Sequence, residues 1–401
     1  LKGYRALSVK GKAKSMNDPK QDIFVNTEEG LALLCDRLRG QTVLALDTEF
    51  LREKTYHAQL CLLQVAGNDV VACVDPLAIT NIDPLLDIIY DPGITKVMHS
   101  ARQDMEILFD LRGELPRPLF DTQVAATLMG FGEQVGYANL VKGMLGIELD
   151  KLHTRTDWTQ RPLDPEQLKY AADDVRYLFE IYHQQVETLV SKGRQTWLQE
   201  DFEELTSVAT YAPPADSLWK RVKGKQRLKG VQLAILRDLA IWREERAMKI
   251  NRPRRWVLKD DVMVDIARFG PRDLTGLEKI RGLEPKTVQT QGEALLALIR
   301  QARDSAKETW PRLPQGQRMT SEQEVLVDVL MAVVRKRGSE QEVSPALLAS
   351  RKDIEAVILG QTDVPILHGW RGELAGHELQ LVLAGERALQ VLDGKLEIRE
   401  S

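Results

Sequence analysis

No run of about 18 apolar residues occurs in this chain, which excludes the simplest membrane-spanning helix. The N-terminal lysines are followed by no apolar stretch of signal-peptide length, so secretion is not indicated and a cytoplasmic location is the expectation. Cysteine is scarce. Cys35, Cys61 and Cys73 are an odd number without the close paired spacing of a zinc site, and they read as buried, unpaired thiols in a reducing compartment. Signatures of nucleotide and nucleophile chemistry are missing as well. Gly130-Phe131-Gly132 has no glycine at position 135 and follows a helical pattern, so it is no dinucleotide fingerprint. Neither a Walker sequence nor a Gly-x-Ser-x-Gly elbow is present.

What is present is a chain of 401 residues, 43% hydrophobic and 28% charged, enough to bury real cores in about two to four domains. Its formal net charge of −4 looks bland, yet it is a cancellation. Positions 21–210 carry 31 acidic and 16 basic residues, a local net of −15, whereas positions 219–259 carry 14 basic and 3 acidic, a local net of +11. Residues 1–20 add six basic residues against one acidic without any hydrophobic period, and read as a disordered basic arm.

Two breaks divide the rest. The first is Tyr211-Ala212-Pro213-Pro214 with the basic stretch Lys220 to Lys225, where prolines stop a helix and like charges keep the chain solvated. The second is Trp310-Pro311-Arg312-Leu313-Pro314-Gln315-Gly316. Three blocks result, 21–210, 215–305 and 318–401, of which the last two are similar in length and helical character. The first reads as α/β. Val43 to Asp47, Ala58 to Ala66, Val70 to Asp75 and Lys96 to His99 are strand-like runs. One helix is expected from Ser100 as its cap, another from Asp121, and Pro165 to Leu189 reads as a single long amphipathic helix. The later blocks show almost no strand signal.

Candidate chemistry lies where carboxylates converge. Asp47 and Glu49 are two apart at the end of a strand, so both point to one face. Asp104 falls near a helix start, where the helix dipole favours a carboxylate. Tyr170 and Asp174 are four apart on one helix face. Each has a plain structural reading when taken singly. Together they place four carboxylates around one point, a repulsive cluster unless cations neutralise it. Oxygen-only ligands without cysteine or a His-x-x-x-His pair favour two Mg²⁺ or Mn²⁺ ions over zinc. Such a pair, about 4 Å apart, suits in-line attack on a phosphodiester, with Tyr170 placed to orient or help deprotonate the water. His99 is expected to pack or hydrogen-bond beside this site rather than ligate.

Asp47-Thr48-Glu49-Phe50, His99-Ser100-Ala101-Arg102-Gln103-Asp104 and Tyr170-Ala171-Ala172-Asp173-Asp174 resemble the three exonuclease motifs of the DEDD superfamily, tyrosine branch. Asp121-Thr122-Gln123, Leu149-Asp150-Lys151 and Asp157-Trp158 with Arg161-Pro162-Leu163 narrow the resemblance to the bacterial ribonuclease D family. Trp242-Arg243, Asn251-Arg252-Pro253 and Gly282-Leu283 in block two are similar to an HRDC domain, and Trp370-Arg371-Gly372-Glu373-Leu374 in block three to a second, more diverged copy.

The resemblance implies an α/β ribonuclease H-like exonuclease domain with a mixed sheet, followed by two all-α HRDC domains. It also implies a metal-dependent 3'–5' exoribonuclease that releases 5'-mononucleotides, with tRNA precursors as the usual substrate; separately, a ring-like arrangement of three blocks in one chain would make a monomer sufficient. Asp47 would bridge both ions, Glu49 and Asp174 complete one site, and Asp104 serve the other, partly through water. Asp174 rather than Asp173 has the spacing from Tyr170 that the motif requires, Asp173 pointing about 100° away round the helix. Two rival readings stay open: a DNA 3'–5' exonuclease with the same five residues, and a non-catalytic nucleic-acid-binding protein built on HRDC modules.

A block at −15 repels RNA, so phosphate attraction is expected from the +11 segment. Lys220 to Lys229 with Arg252, Arg254 and Arg255 are the candidate cations, and Trp256 is available to stack on a base, although a core position is the expectation for it. In the first block the resemblance places Phe50 against the terminal base, and Lys151 and Arg161 are candidates for backbone contact.

Overall fold

The structure, a computed structural model, describes residues 21–132, 134–149, 156–313 and 319–401. The basic arm, Lys151 and the Pro314-Gln315-Gly316 part of the second break lie outside the described residues.

The β-branched and leucine runs become β1 (Gln21–Val25), β2 (Val43–Leu51), β3 (Gln59–Ala66), β4 (Val70–Val74), β5 (Thr95–Met98) and β6 (Leu119–Asp121). They form one mixed sheet in the order β1-β4-β3-β2-β5-β6. β3 is antiparallel to both β2 and β4, and the other pairings are parallel. Helices cover both faces, so the central strands are apolar on both sides. One face, lined by Leu44, Leu46, Leu63, Val65 and Ala72, packs against α1 (Glu28–Leu38), α2 (Asp83–Ile89) and α3 (Arg102–Arg112).

The other face, lined by Ala45, Leu62, Ala66, Val71 and Cys73, packs against α4 (Thr122–Thr127), α6 (Pro165–Arg176) and α7 (Leu178–Ser191). Between them α5 (Tyr137–Leu145) buries Leu140 and Val141 with Ile181 of α7. A bulge marks the β2–β3 pair: Glu49 stands opposite Leu62 and Phe50 opposite Leu60, leaving Cys61 as the extra residue beside the acidic pair.

Two helix boundaries differ from expectation. Ser100 does not cap α3; it takes φ 61°, Ala101 occupies the cap position, and no side chain of the helix's own segment caps it. The buried Asp121 carboxylate supplies the cap from the neighbouring strand end, accepting the N–H of Ser100 at 3.1 Å and of Ala101 at 2.8 Å. The same carboxylate caps α4, as its own sequence position implies. The single helix expected over Pro165 to Leu189 is interrupted at Tyr177, whose ψ of −18° separates α6 from α7 while one buried face runs on through Val175, Leu178 and Ile181.

After α8 (Gln199–Leu205) and α9 (Val208–Tyr211), the basic stretch is not a solvated linker. It folds as two tight turns, Ala215–Arg221 and Lys225–Arg227, because Trp219, Val222 and Leu228 insert into the core of the next block. That core is built by α10 (Val231–Lys249), α11 (Arg254–Val257), α12 (Asp260–Phe269), α13 (Leu274–Glu278) and α14 (Pro285–Asp304).

The third block contributes α15 (Ser321–Glu340), α16 (Pro345–Leu348), α17 (Arg351–Ile358), α18 (Gly369–Arg371) and α19 (His377–Ala384). Its apolar core is continuous with the α6 face of the first block, where the Trp197 and Trp370 rings stack with centroids 4.6 Å apart. This block is not all-α. It ends in a hairpin of β7 (Arg387–Leu392) and β8 (Lys395–Glu400), closed by Asp393-Gly394 with φ 49° and 73°, the two-residue turn that Asp-Gly favours between alternating apolar residues.

Candidate active site

β2 alternates sharply at its C-terminal end. Ala45, Asp47 and Glu49 face α6, whereas Leu46, Thr48 and Phe50 face the α1–α3 side. Above the first set lies α6, started by a capping box between Asp164 and Gln167 with Pro165 at its first turn. Its buried side (Leu168, Ala171, Ala172, Val175) seats it on β3 and β4, which brings Asp174 down onto the acidic pair. Carboxylate oxygens of Asp47, Glu49 and Asp174 all lie within 4.8 Å of one another. Asp104, the third residue of α3, stands outside this trio and is held from the opposite side, accepting a hydrogen bond from the Thr48 hydroxyl.

Among the described residues no lysine or arginine is ion-paired with the trio. Burial pushes all four carboxyls up, Glu49 to about 8, Asp174 to about 7, Asp104 to about 6, and Asp47 well above the carboxylate range; the neighbouring carboxylates of the cluster add to the rise at Asp47 and Glu49, and Asp121 adds to it at Asp104. Asp173 adds to the rise at Asp174, and the Tyr170 hydroxyl, donating to Asp174, opposes it. Thr48 opposes the rise at Asp104 in the same way. Three clustered carboxylate oxygens without nitrogen or sulfur are a donor set for a hard divalent ion.

The neighbouring residues separate cleanly. Asp173 turns away from the trio to pair with Arg176 at 3.0 Å, and Arg176 also grips Asp22 at 2.6 and 2.7 Å. Both ring nitrogens of His99 are engaged, Nδ1 with the Thr122 hydroxyl at 2.9 Å and Nε2 with the Val135 carbonyl at 3.0 Å, so it supports the site rather than joining it. Tyr170 lies near Trp158, their rings 6.3 Å apart, and its phenol is pushed above the usual range by burial and then by Asp174, Glu49 and Asp47. Tyr137 escaped the sequence reading. Its hydroxyl donates to the Asp173 carbonyl at 2.9 Å, which ties α5 to α6 beside Asp174. Thr48 escaped too, although a hydroxyl residue between two acids on a strand must face the opposite side, towards α3.

The expected RNA contacts fare differently. Phe50 is half-buried at the end of β2, among the side chains of the α1–α3 face. Arg161 is not available to a backbone: Nε and Nη2 pair with the buried Asp75 at 2.6 and 2.7 Å, Nη2 also donates to the Cys61 carbonyl, and Nη1 to the carbonyls of Trp158 and Gln160. Arg254 is likewise committed, with Nε and Nη2 on Glu244 and Nη2 also on the Tyr56 hydroxyl. The reason is a seam between blocks. Asn251, at φ 46°, accepts the N–H groups of Tyr56 and His57, and Tyr56 donates its hydroxyl to Glu244. Arg252 gives one donor to the Lys54 carbonyl and otherwise stays exposed, as does Arg255. Trp256 is 61% exposed rather than in the core, with the Arg252 guanidinium 6.0 Å from its ring centre.

Residues 23–189 match the 3'-5' exonuclease family, and residues 232–299 match the HRDC domain. A ribonuclease D of Gluconacetobacter diazotrophicus is 39% identical over 376 residues, covering 93% of this chain and 95% of that protein. The chain belongs to the ribonuclease D family. A second member, from Sphingobium indicum, is 38% identical across 94% of this chain and 98% of that protein. The crystal structure of Escherichia coli RNase D, an exoribonuclease involved in structured RNA processing, aligns with a TM-score of 0.79 at 31% identity, over 90% of this chain and 98% of that one. As a ribonuclease D, the protein is a hydrolase of the 3'–5' exoribonuclease class, in a divalent-metal-dependent family.

Proposed function

We propose that this ribonuclease D trims RNA 3' ends one 5'-mononucleotide at a time with two divalent ions, Mg²⁺ or Mn²⁺, held by Asp47, Glu49, Asp174 and Asp104. The observation that carries the reading is the trio of Asp47, Glu49 and Asp174, whose carboxylate oxygens lie within 4.8 Å of one another with no lysine or arginine ion-paired to them among the described residues. Asp47, affected by all three of the other carboxylates, would be the ligand shared by both ions; Glu49 and Asp174 would complete one site, and Asp104 would serve the other. Bound there, the divalent ions supply activation of water and neutralise charge that develops at the leaving oxygen. Tyr170, whose hydroxyl stands against Asp174, would orient the attacking water.

The substrate we assign is the single-stranded 3' end of structured RNAs, tRNA precursors foremost, gripped by the exposed cations Lys220, Arg221, Lys223, Lys229, Arg252 and Arg255, with Trp256 as a stacking platform. Cys35, Cys61 and Cys73 are buried and free, which supports a reducing, cytoplasmic setting, and a monomer carries every element of the proposed site.

The test is a manganese-supported assay on a tRNA bearing a short 3' extension, beside a DNA oligonucleotide of matching sequence. Stepwise release of 5'-mononucleotides from RNA, lost in Asp104→Asn and Asp174→Asn while RNA binding persists, is the expected result. Full turnover in both variants would overturn the residue assignment, and preferred digestion of the DNA would move the substrate.

A further inference from the structure

The core of the exonuclease block contains one polar side chain with no visible reason to be there. Gln64 is fully buried on β3, and neither its Nε2 nor its Oε1 has a hydrogen-bond partner among the described residues. Buried amides are satisfied as a rule, because an unpaired one forfeits its hydration without return, and a leucine would fill the same space at no such cost. Position 64 lies among residues that accept apolar side chains without difficulty: Leu62 and Ala66, two residues to either side, and Cys73 across the strand pair on β4.

Across the other strand pair, Gln64 stands directly opposite Asp47. Paired residues on antiparallel strands project to the same face with their Cβ atoms about 5 Å apart. Strand alternation confirms the face, since Leu62 and Ala66 belong to the α6-side core with Ala45, whereas Leu63 and Val65 belong to the opposite one. The unpartnered amide is thus a side-chain length from the carboxylate that forms the centre of the trio.

We infer that Gln64 is a positioning residue for Asp47: its free amide, beside Asp47 on the same sheet face, is the donor that fixes the Asp47 carboxylate when a divalent ion is held there. The terminal torsion of a glutamine is soft, so the Nε2–H group turns to whichever acceptor is present. A carboxylate that holds a cation keeps lone pairs free for such a donor, and the donor fixes which oxygen faces the cation. On this account the amide is reserved for the Asp47 carboxylate, and the hydrogen bond between them tightens as that carboxylate takes up the cation.

The inference rests on Asp47 being a metal ligand, and its test separates the two. Mn²⁺ binding is measured by electron paramagnetic resonance or calorimetry on wild type, Gln64→Met and Gln64→Asn, together with the melting temperature of each in EDTA. Gln64→Met keeps the length and removes the amide. It should bind Mn²⁺ about tenfold to a hundredfold more weakly and, metal-free, melt no lower than wild type. Gln64→Asn retains an amide on a shorter arm and should recover part of the affinity. Mn²⁺ affinity within twofold of wild type in Gln64→Met would overturn the role of Gln64 while leaving the metal site standing. A Gln64→Met protein that melts lower in EDTA or fails to fold would overturn it too, because the amide would then be satisfied without the cation. Wild type that binds no Mn²⁺ would remove the metal reading itself.

Discussion

The Thr48 hydroxyl donates to the Asp104 carboxylate, joining the strand that carries two of the acidic residues to the helix that carries a third. The bond passes to the α3 side of the sheet, while Asp47 and Glu49 face α6. It fixes the orientation of a carboxylate outside the tight trio, which must be pre-placed if it is to serve a second ion. Thr48→Val keeps the shape and removes the donor, and should lower kcat about tenfold to a hundredfold with little change in KM. Thr48→Ser should retain most of the activity. Equal loss in the Ser and Val variants would show that packing, not the hydrogen bond, matters at this position.

The carboxylate cluster makes the metal-free protein sensitive to pH in a definite sense. Glu49, Asp174 and Asp104 hold their protons up to about 8, 7 and 6, whereas the unfolded chain releases them near the ordinary carboxylate range. Between those limits the native state binds more protons than the unfolded one, so this contribution to stability is present at low pH and falls as pH rises. Asp174→Asn removes one repelling charge. In EDTA it should melt above wild type at pH 8, by on the order of 2 kcal/mol, and the gap should close towards pH 5. Divalent ion added at pH 8 should raise the wild-type melting temperature and leave the variant nearly unmoved. A gap that does not change between pH 5 and pH 8 would contradict this electrostatic account.

Which features were legible in the sequence follows from how far away their determinants lie. Asp47 with Glu49 and Tyr170 with Asp174 are set by periods of two and four within one element, so their shared faces could be read directly. The start of α3 could not, because its cap is the Asp121 carboxylate from the end of β6. Arg161 and Arg254 look like free cations until the fold brings Asp75 and Glu244 against them. Trp256 has the residue type of a core position, yet on α11 it is 61% exposed. The hairpin after α19 escaped the sequence reading, which found almost no strand signal in that block, although Asp393-Gly394 closes its turn.

Arg161 should prove structural. Its guanidinium neutralises Asp75, which is 1% exposed, and closes the carbonyls of Cys61, Trp158 and Gln160. Removing one partner of a buried pair leaves the other charged and unpaired, so Arg161→Met should cost about 3–5 kcal/mol of stability. Adding Asp75→Asn should recover part of that loss, giving a clear coupling energy in a double-mutant cycle. At a temperature where Arg161→Met is still folded, its KM for RNA should match wild type. A raised KM without destabilisation would restore Arg161 as a backbone contact.

The three arginines beside Trp256 should separate into two kinds. Arg252 and Arg255 are exposed, so each phosphate they neutralise adds about 0.7 to the salt slope of single-strand binding, and Arg252→Ala with Arg255→Ala should flatten the slope accordingly. Trp256→Ala should weaken binding by roughly 1–3 kcal/mol for an oligonucleotide long enough to reach the ring, and leave a very short one unaffected. Trp256→Phe should restore part of it. Arg254 belongs to the seam instead, locked to Glu244 and to the Tyr56 hydroxyl in the loop that follows Glu49 and Phe50. Arg254→Ala should therefore leave the salt slope almost unchanged while loosening that loop, seen as faster amide exchange at Tyr56 and His57, whose N–H groups Asn251 otherwise holds. Filter binding across a salt series distinguishes the two kinds, since a slope lowered equally by all three substitutions would place Arg254 on the RNA path and leave the seam to Asn251 alone.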